Sequence, residues 1–226
     1  MLRELLSIFR SDNPLHVMGT DVVRMLQRTE GMATSAGEIY LGGAASDQDR
    51  GRLYNYDVEV NKLERDIRKR IVAHLSIPGN SSDAAYCLLL ISLVKDVERI
   101  GDYAKNLSEI EDIRSEPMPD DPIVQELQGI RHAVDGSFRA VAETFGTSDL
   151  GRAVELIEQA RGIAHQCDSL IGRISHSKYD ANTTAALVLG ARYYKRINGH
   201  LLNVLSSVVM PVHKIDYYSP DDESTS

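Results

Sequence analysis

Residues 96–106 read DVERIGDYAKN, and their spacing predicts a helix with one buried face. The apolar residues of this stretch and its next position recur at spacings of three and four, as a single buried stripe requires; they are Val97, Ile100, Ala104 and Leu107. A polar stripe runs beside them and includes Glu98 and Asp102. Two carboxylates four residues apart repel each other by about 0.2–0.5 kcal/mol. We therefore expect basic neighbours or a bound cation to compensate them.

The residues alone favour the first of these two explanations. Lys95 lies three positions before Glu98, and Arg99 lies three positions before Asp102, so each carboxylate has a basic neighbour within reach on the helix. A metal ion is the alternative, because hard cations prefer carboxylate oxygens. The pattern leaves both interpretations open.

Two stretches carry a family resemblance. Residues 96–102, DVERIGD, and Asn106 resemble one helical signature of the PhoU family of bacterial phosphate-signalling regulators, in which Glu or Asp is followed four positions later by Asp. Residues 57–64, DVEVNKLE, resemble the family's other signature, Asp-x-x-Val-(Asp/Asn)-x-(Leu/Met)-Glu. The resemblance implies an all-α fold of two similar three-helix bundles.

The resemblance also implies a metal site. The family uses carboxylates at these motif positions to hold multinuclear iron and other divalent cations, which gives Glu98, Asp102, Asp57 and Asn61 as the expected ligands here. Glu64 falls on the same helical stripe as Asp57. The alternative for Asp57, Asn61 and Glu64 is that they form a solvated polar face of their helix. The identity of the metal stays open.

Six long helices are predicted from periodicity and helix-start signals. The expected helices cover 14–41, 46–75, 81–114, 122–145, 148–174 and 180–210, with Ser46, Asp121, Ser148 and Asp180 as caps and Ser81 or Ser82 at the start of the third. Residues 115–122, SEPMPDDP, form the clearest linker. The chain is thus expected to be all-α.

The two halves of the chain resemble repeats. We expect a first repeat over residues 1–115, a degenerate second repeat over 120–214, and an acidic, disordered tail over 215–226. In this alignment Lys195 stands at the place of Glu98, and Gly199 at the place of Asp102. A lysine brings a cation where the family has a ligand, and glycine has no side chain. We therefore expect metal at the first bundle only.

Composition excludes several functional classes. The chain has 226 residues, 42% of them hydrophobic, and a net charge of −8, which argues against nucleic acid as a partner. The longest apolar run, residues 84–94, is too short to span a bilayer, and no signal peptide is apparent. No nucleophile–base pair, glycine-rich phosphate loop or zinc motif is present. We expect a cytoplasmic protein without enzymatic activity.

The PhoU resemblance implies a non-enzymatic regulator of phosphate uptake and phosphate-dependent signalling. Its partners would be components of a phosphate transporter and a sensor histidine kinase, and it would approach the membrane only through them. It would form a homodimer, and its action could depend on metal. Two alternatives remain: a carboxylate-bridged metalloenzyme, although the Glu-x-x-His pairs typical of such bundles are missing, and a structural helical interaction module.

Overall fold

The computed structural model describes residues 13–42, 46–114 and 116–210. Within these ranges the chain forms six long helices and no strand; they are α1 Pro14–Gly42, α2 Asp47–Leu75, α3 Ala84–Glu109, α4 Pro122–Thr147, α5 Leu150–Ser175 and α6 Ala181–Val209. Short 3-10 helices at Asn80–Asp83 and Ile110–Ile113 flank α3. The all-α prediction is confirmed. The predicted tail over 215–226 lies outside the described residues.

Three predicted helix starts are confirmed by their caps. The Ser46 hydroxyl accepts the Asp49 backbone N–H at 3.2 Å, and the Asp49 carboxylate accepts the Ser46 backbone N–H, so a capping box opens α2. Asp121 accepts the N–H of Ile123 at 2.9 Å and opens α4 with a proline at its first position. Asp180 caps α6 in the same way.

Two predicted helix starts were wrong. Asp149, and not Ser148, caps α5 by accepting the backbone N–H of Arg152 at 3.0 Å. Ser148 instead has a φ of 54° and ends α4 in the left-handed conformation, which moves the extended cap position one residue on. The third helix begins at Ala84, because residues 80–83 form a 3-10 turn after Gly79, whose φ is 100°.

The helices pack as two bundles with a shared core. Helices α1–α3 form one bundle and α4–α6 the other, while α3 lies against α6 and α1 against α4 between them. Tyr40 and Tyr194 are fully buried at this seam with ring centroids 6.4 Å apart, and the Tyr40 hydroxyl donates to the Ala186 carbonyl at 3.1 Å. The buried apolar residues of both bundles form one continuous cluster. The division into repeats over 1–115 and 120–214 stays a prediction.

Two contacts between α3 and α6 join positions that the predicted repeat places opposite each other. The alignment that places Lys195 against Glu98 also places Tyr193 against Asp96 and His200 against Tyr103. In the structure Asp96 bonds His200, and its counterpart Tyr193 lies against Tyr103, the counterpart of His200, with ring centroids 5.9 Å apart. Tyr103 and His200 themselves stack at 5.7 Å. Two pairs of aligned positions thus make reciprocal contacts between the helices.

The described helices include none that is both long enough and apolar enough to cross a membrane.

Candidate functional site

The predicted ligands lie where α2 and α3 run side by side. Lys105, near the end of α3, contacts Asp57, near the start of α2, while His74 and Asp83 meet at 2.8 Å at the opposite ends of the two helices. The helices are therefore antiparallel, as their short connection predicts. This packing places Asp57 and Asn61 of α2 beside the polar stripe of α3.

Lys105 is the centre of this cluster. Its ammonium Nζ lies 2.9 Å from Asp57 Oδ1 and 3.3 Å from Asp102 Oδ1. The Asn61 amide donates to the second oxygen of Asp57 at 3.3 Å. Burial by itself lowers the pKa of Lys105, but the hydrogen bonds and charges of the two aspartates outweigh it, and the net pKa is raised. The chain thus supplies a firmly charged cation between two of the four predicted ligands.

Glu98 is paired elsewhere. Lys95 Nζ lies 2.6 Å from Glu98 Oε2, and Arg99 Nη1 lies 3.9 Å from Asp102 Oδ2. Both ion pairs anticipated from the spacing within α3 therefore exist. Glu64, on α2, pairs with Arg68 at 2.9 Å.

The arrangement in the structure does not fit a metal ion as it stands. Among residues 13–42, 46–114 and 116–210, no group of three or more His, Cys, Asp or Glu side chains could hold a metal. The structure brings Asp57 and Asp102 together around Lys105, with Asn61 bonded to Asp57 and Glu98 paired with Lys95. An ammonium stands where the two aspartates would receive a cation. Ligation by the four residues stays a prediction, and it requires Lys105 to move away.

The second bundle also pairs its cation internally. Lys195 Nζ lies 2.5 and 2.6 Å from the two carboxylate oxygens of Asp168, which joins α6 to α5. The hydrogen bond from Lys195 lowers the pKa of Asp168 below its usual value. Asp168 is the counterpart of Asn61 in the repeat, because residues 167–170 align with 60–63. A cation from the chain therefore sits on the polar stripe of both bundles.

A polar cluster between the bundles was not predicted from the sequence. His200 Nδ1 lies 2.7 Å from Asp96 Oδ1, and the Asn203 amide donates to the same oxygen at 2.9 Å. Asp96 is only 8% exposed. The sequence carries no signal for this pair, because the contact depends on how α3 packs against α6.

The two cysteines are buried free thiols. Burial raises the pKa of Cys167 to about 12 and also raises the pKa of Cys87. Both sulfurs are therefore protonated at neutral pH, which makes them poor nucleophiles.

Comparisons with known proteins agree with the motif positions. Residues 22–110 match the family model of the PhoU domain. The fold is similar to the crystal structure of PhoU from Pseudomonas aeruginosa, with a TM-score of 0.77 and 17% identity over 88% of this chain and 97% of that one. It is also similar to the crystal structure of the phosphate transport system regulatory protein PhoU from Streptococcus pneumoniae, with a TM-score of 0.75 and 15% identity over 88% of this chain and 95% of that one. No curated protein matches the chain.

These findings confirm the PhoU resemblance. The matched segment holds α1 from Val22 onward, α2 and α3 with both motif stretches, while the structural likeness extends across both bundles. The second bundle, where Lys195 and Gly199 replace the motif carboxylates, lies outside the family model's match. The sequence signal for the family is thus concentrated in the first bundle.

Proposed function

We propose that this protein is a non-enzymatic, cytoplasmic regulator of phosphate uptake and phosphate-dependent signalling. The observation that carries the proposal is the PhoU-domain match over residues 22–110, joined to a fold shared with two PhoU structures along most of the chain. The relative from Streptococcus pneumoniae is described as a phosphate transport system regulatory protein. The protein acts by contact with a phosphate transporter, a sensor histidine kinase or both, and it reaches the membrane only through them.

The outer face of α2 supports a role in protein contacts. Tyr54 and Val58 are one helical turn apart and are 67% and 47% exposed, and Val72 on the same helix is 64% exposed. Tyr54 and Val58 line a shallow depression of about 320 Å³ together with Asp57 and Asn61. Exposed apolar side chains next to polar ones are typical of surfaces that bind another protein. We place the transporter contact on this face.

Affinity capture from cross-linked cells tests this contact. The tagged full-length protein is expected to retain a component of the phosphate transporter or a sensor histidine kinase. Replacing both Tyr54 and Val58 by lysine removes the apolar contact and is expected to reduce that capture. The matched control is the exposed pair Arg152 and Glu155 of α5, replaced by glutamines, which leaves capture unchanged. Equal capture by the parent and by the variant of Tyr54 and Val58 would contradict this placement.

We propose in addition that the first bundle binds iron or another divalent cation through Glu98, Asp102, Asp57 and Asn61. Replacing Lys105 by methionine removes the ammonium that lies between two of these ligands, so metal uptake is expected to rise. The matched control is Arg152→Gln in α5, which also removes the cation of an ion pair but frees no proposed ligand, and it is expected to leave metal uptake unchanged. Elemental analysis after incubation with iron and washing measures the difference. A methionine variant that takes up no more metal than the parent would count against the site.

The homodimer is also a proposal, and it rests on the family resemblance. One chain has a mass of 25.1 kDa, so light scattering after size-exclusion chromatography is expected to give twice that value. A mass of one chain across a range of concentrations would refute the dimer.

A further inference from the structure

A groove of about 350 Å³ between α5 and α6 has a basic wall. Four of its lining residues carry permanent positive charges, Arg161, Arg192, Lys195 and Arg196, and His200 adds a titratable ring. No Asp or Glu lines the groove. This concentration of positive charge stands out in a chain whose net charge is −8.

The charges of the groove are only partly compensated. Lys195 is held by Asp168, whose oxygens lie 2.5 and 2.6 Å from its ammonium. Arg192 and Arg196 are exposed and have no carboxylate within 4 Å in the described part of the chain, although the charge of Arg192 also acts on Asp168 and helps to lower the pKa of that carboxyl. Each guanidinium carries several N–H donors in a planar fork that matches two oxygens of a phosphate group.

The groove also has room and a fixed floor. Gly199 lines the groove, and a Cβ atom built on it meets nothing within 4 Å, so this position is open. The buried Asn198 donates its amide to the Ala160 carbonyl at 2.7 Å, which ties α6 to α5 beneath it. The volume lies at the lower end of the roughly 300–1,000 Å³ common for small-molecule sites.

We propose that this groove binds a phosphate-type oxyanion, either inorganic phosphate or the phosphoryl group of a small phosphate ester. Arg192 and Arg196 supply the charged donors, Lys195 adds positive charge, and Gly199 leaves space for the anion. The inference does not rest on the proposed regulatory function, because the groove can bind phosphate whichever proteins this chain contacts.

The repeat explains why the groove belongs to the second bundle. Lys195 and Gly199 occupy the places of Glu98 and Asp102, so the substitutions that remove a carboxylate pair also reverse the local charge. The two carboxylates that would repel an anion at these positions of the first bundle are therefore absent from the second.

Titration calorimetry of the full-length protein with inorganic phosphate at low ionic strength tests the site. We expect saturable binding of one phosphate per chain that weakens as salt is added, because added ions screen exposed charges. Replacing Arg192 and Arg196 by glutamine is expected to weaken binding at least about tenfold. The control is Arg152→Gln, which changes an exposed arginine of α5 that does not line the groove. It is expected to leave phosphate binding unchanged.

Two substitutions of similar shape at Gly199 isolate the charge. Aspartate at this position places a carboxylate in the groove and is expected to abolish measurable phosphate binding, whereas asparagine is expected to retain it within about threefold. Thermal unfolding followed by circular dichroism checks that both variants fold. Glycerol phosphate titrated in parallel identifies the ligand: tighter binding than inorganic phosphate assigns the groove to esters, and weaker binding assigns it to the free ion. Absence of phosphate binding, or equal binding by the aspartate and asparagine variants, would overturn the proposal.

Discussion

The imidazole Nδ1 of His200 lies 2.7 Å from the Asp96 carboxylate, although the two residues are 104 positions apart in the sequence. Asn203 donates its side-chain amide to the same carboxylate oxygen at 2.9 Å. Asp96 is 8% exposed, so water competes little for these bonds. The contact joins α3 of the first bundle to α6 of the second and fixes their register.

Replacing Asp96 by alanine is expected to destabilise the whole molecule. The change leaves the polar groups of His200 and Asn203 at a largely buried seam without their acceptor, which costs about 1–3 kcal/mol. Urea unfolding gives the difference in free energy. The control is Asp168→Ala, which breaks a half-exposed ion pair and is expected to cost no more than about 1 kcal/mol. Equal losses in the two variants would show that the inter-bundle bond adds no special stability.

Gly190→Ala is expected to destabilise the protein because of a steric conflict. A Cβ at this position overlaps the ring and hydroxyl of Tyr40, which is fully buried and bonded to the Ala186 carbonyl. Overpacking of a well-packed core costs about 1–3 kcal/mol. Gly136→Ala is the matched control, because its Cβ meets nothing within 4 Å and alanine favours helix by up to about 1 kcal/mol. The melting temperature is expected to fall in Gly190→Ala and to rise in Gly136→Ala. An unchanged or higher melting temperature in Gly190→Ala would refute the packing argument.

The stability contributed by Asp121 is expected to depend on pH. Burial raises its pKa, but the Tyr179 hydroxyl and the backbone N–H groups of Val124 and Ile123 outweigh burial, and the net pKa lies below the ordinary 3.8. A lowered folded-state pKa stabilises the protein above the ordinary value, and this contribution is lost as the pH falls through the folded-state value. Asp121→Ala is therefore expected to cost about 0.5–2 kcal/mol at neutral pH. Urea unfolding of the parent and the variant at several pH values measures the difference between their free energies of unfolding. This difference is expected to shrink below pH 3.8, and a difference that stays constant with pH would contradict the argument.

Metal uptake is expected to depend on the first bundle. Replacing Glu98 and Asp102 by alanine removes two proposed ligands and is expected to abolish bound metal. The helical fold is expected to persist, since the apolar stripe is untouched and the exposed ion pairs lost are worth about 0.3–0.5 kcal/mol each. Replacing Lys195 and His200 is expected to leave metal content unchanged. Elemental analysis measures the bound metal in both double variants. Metal that remains after replacement of Glu98 and Asp102, or that is lost after replacement of Lys195 and His200, would refute a single site in the first bundle.

Most of the helix boundaries could be predicted from the sequence, because local capping signals determine where the helices begin and end. Ser46 with Asp49, Asp121 before a proline, and Asp180 all cap helices as predicted. The prediction at Ser148 failed because two adjacent cap formers, Ser148 and Asp149, look equivalent until the preceding helix is seen to end in a left-handed residue.

The candidate site was harder to predict because it depends on contacts between helices. The pairs Lys95–Glu98 and Arg99–Asp102 lie within one helix and could be predicted from spacing alone. The position of Lys105 between Asp57 and Asp102 depends on how α2 lies along α3, which spacing within either helix does not reveal.

Phosphate uptake in cells that lack the gene tests the central claim most directly. Uptake of radiolabelled phosphate and the polyphosphate content are measured at low and high external phosphate in the parent, the deletion strain and the deletion strain carrying the gene. A regulator of phosphate transport predicts that deletion changes uptake or polyphosphate and that the restored gene reverses the change. Unchanged uptake and unchanged polyphosphate in the deletion strain under both conditions would contradict the account.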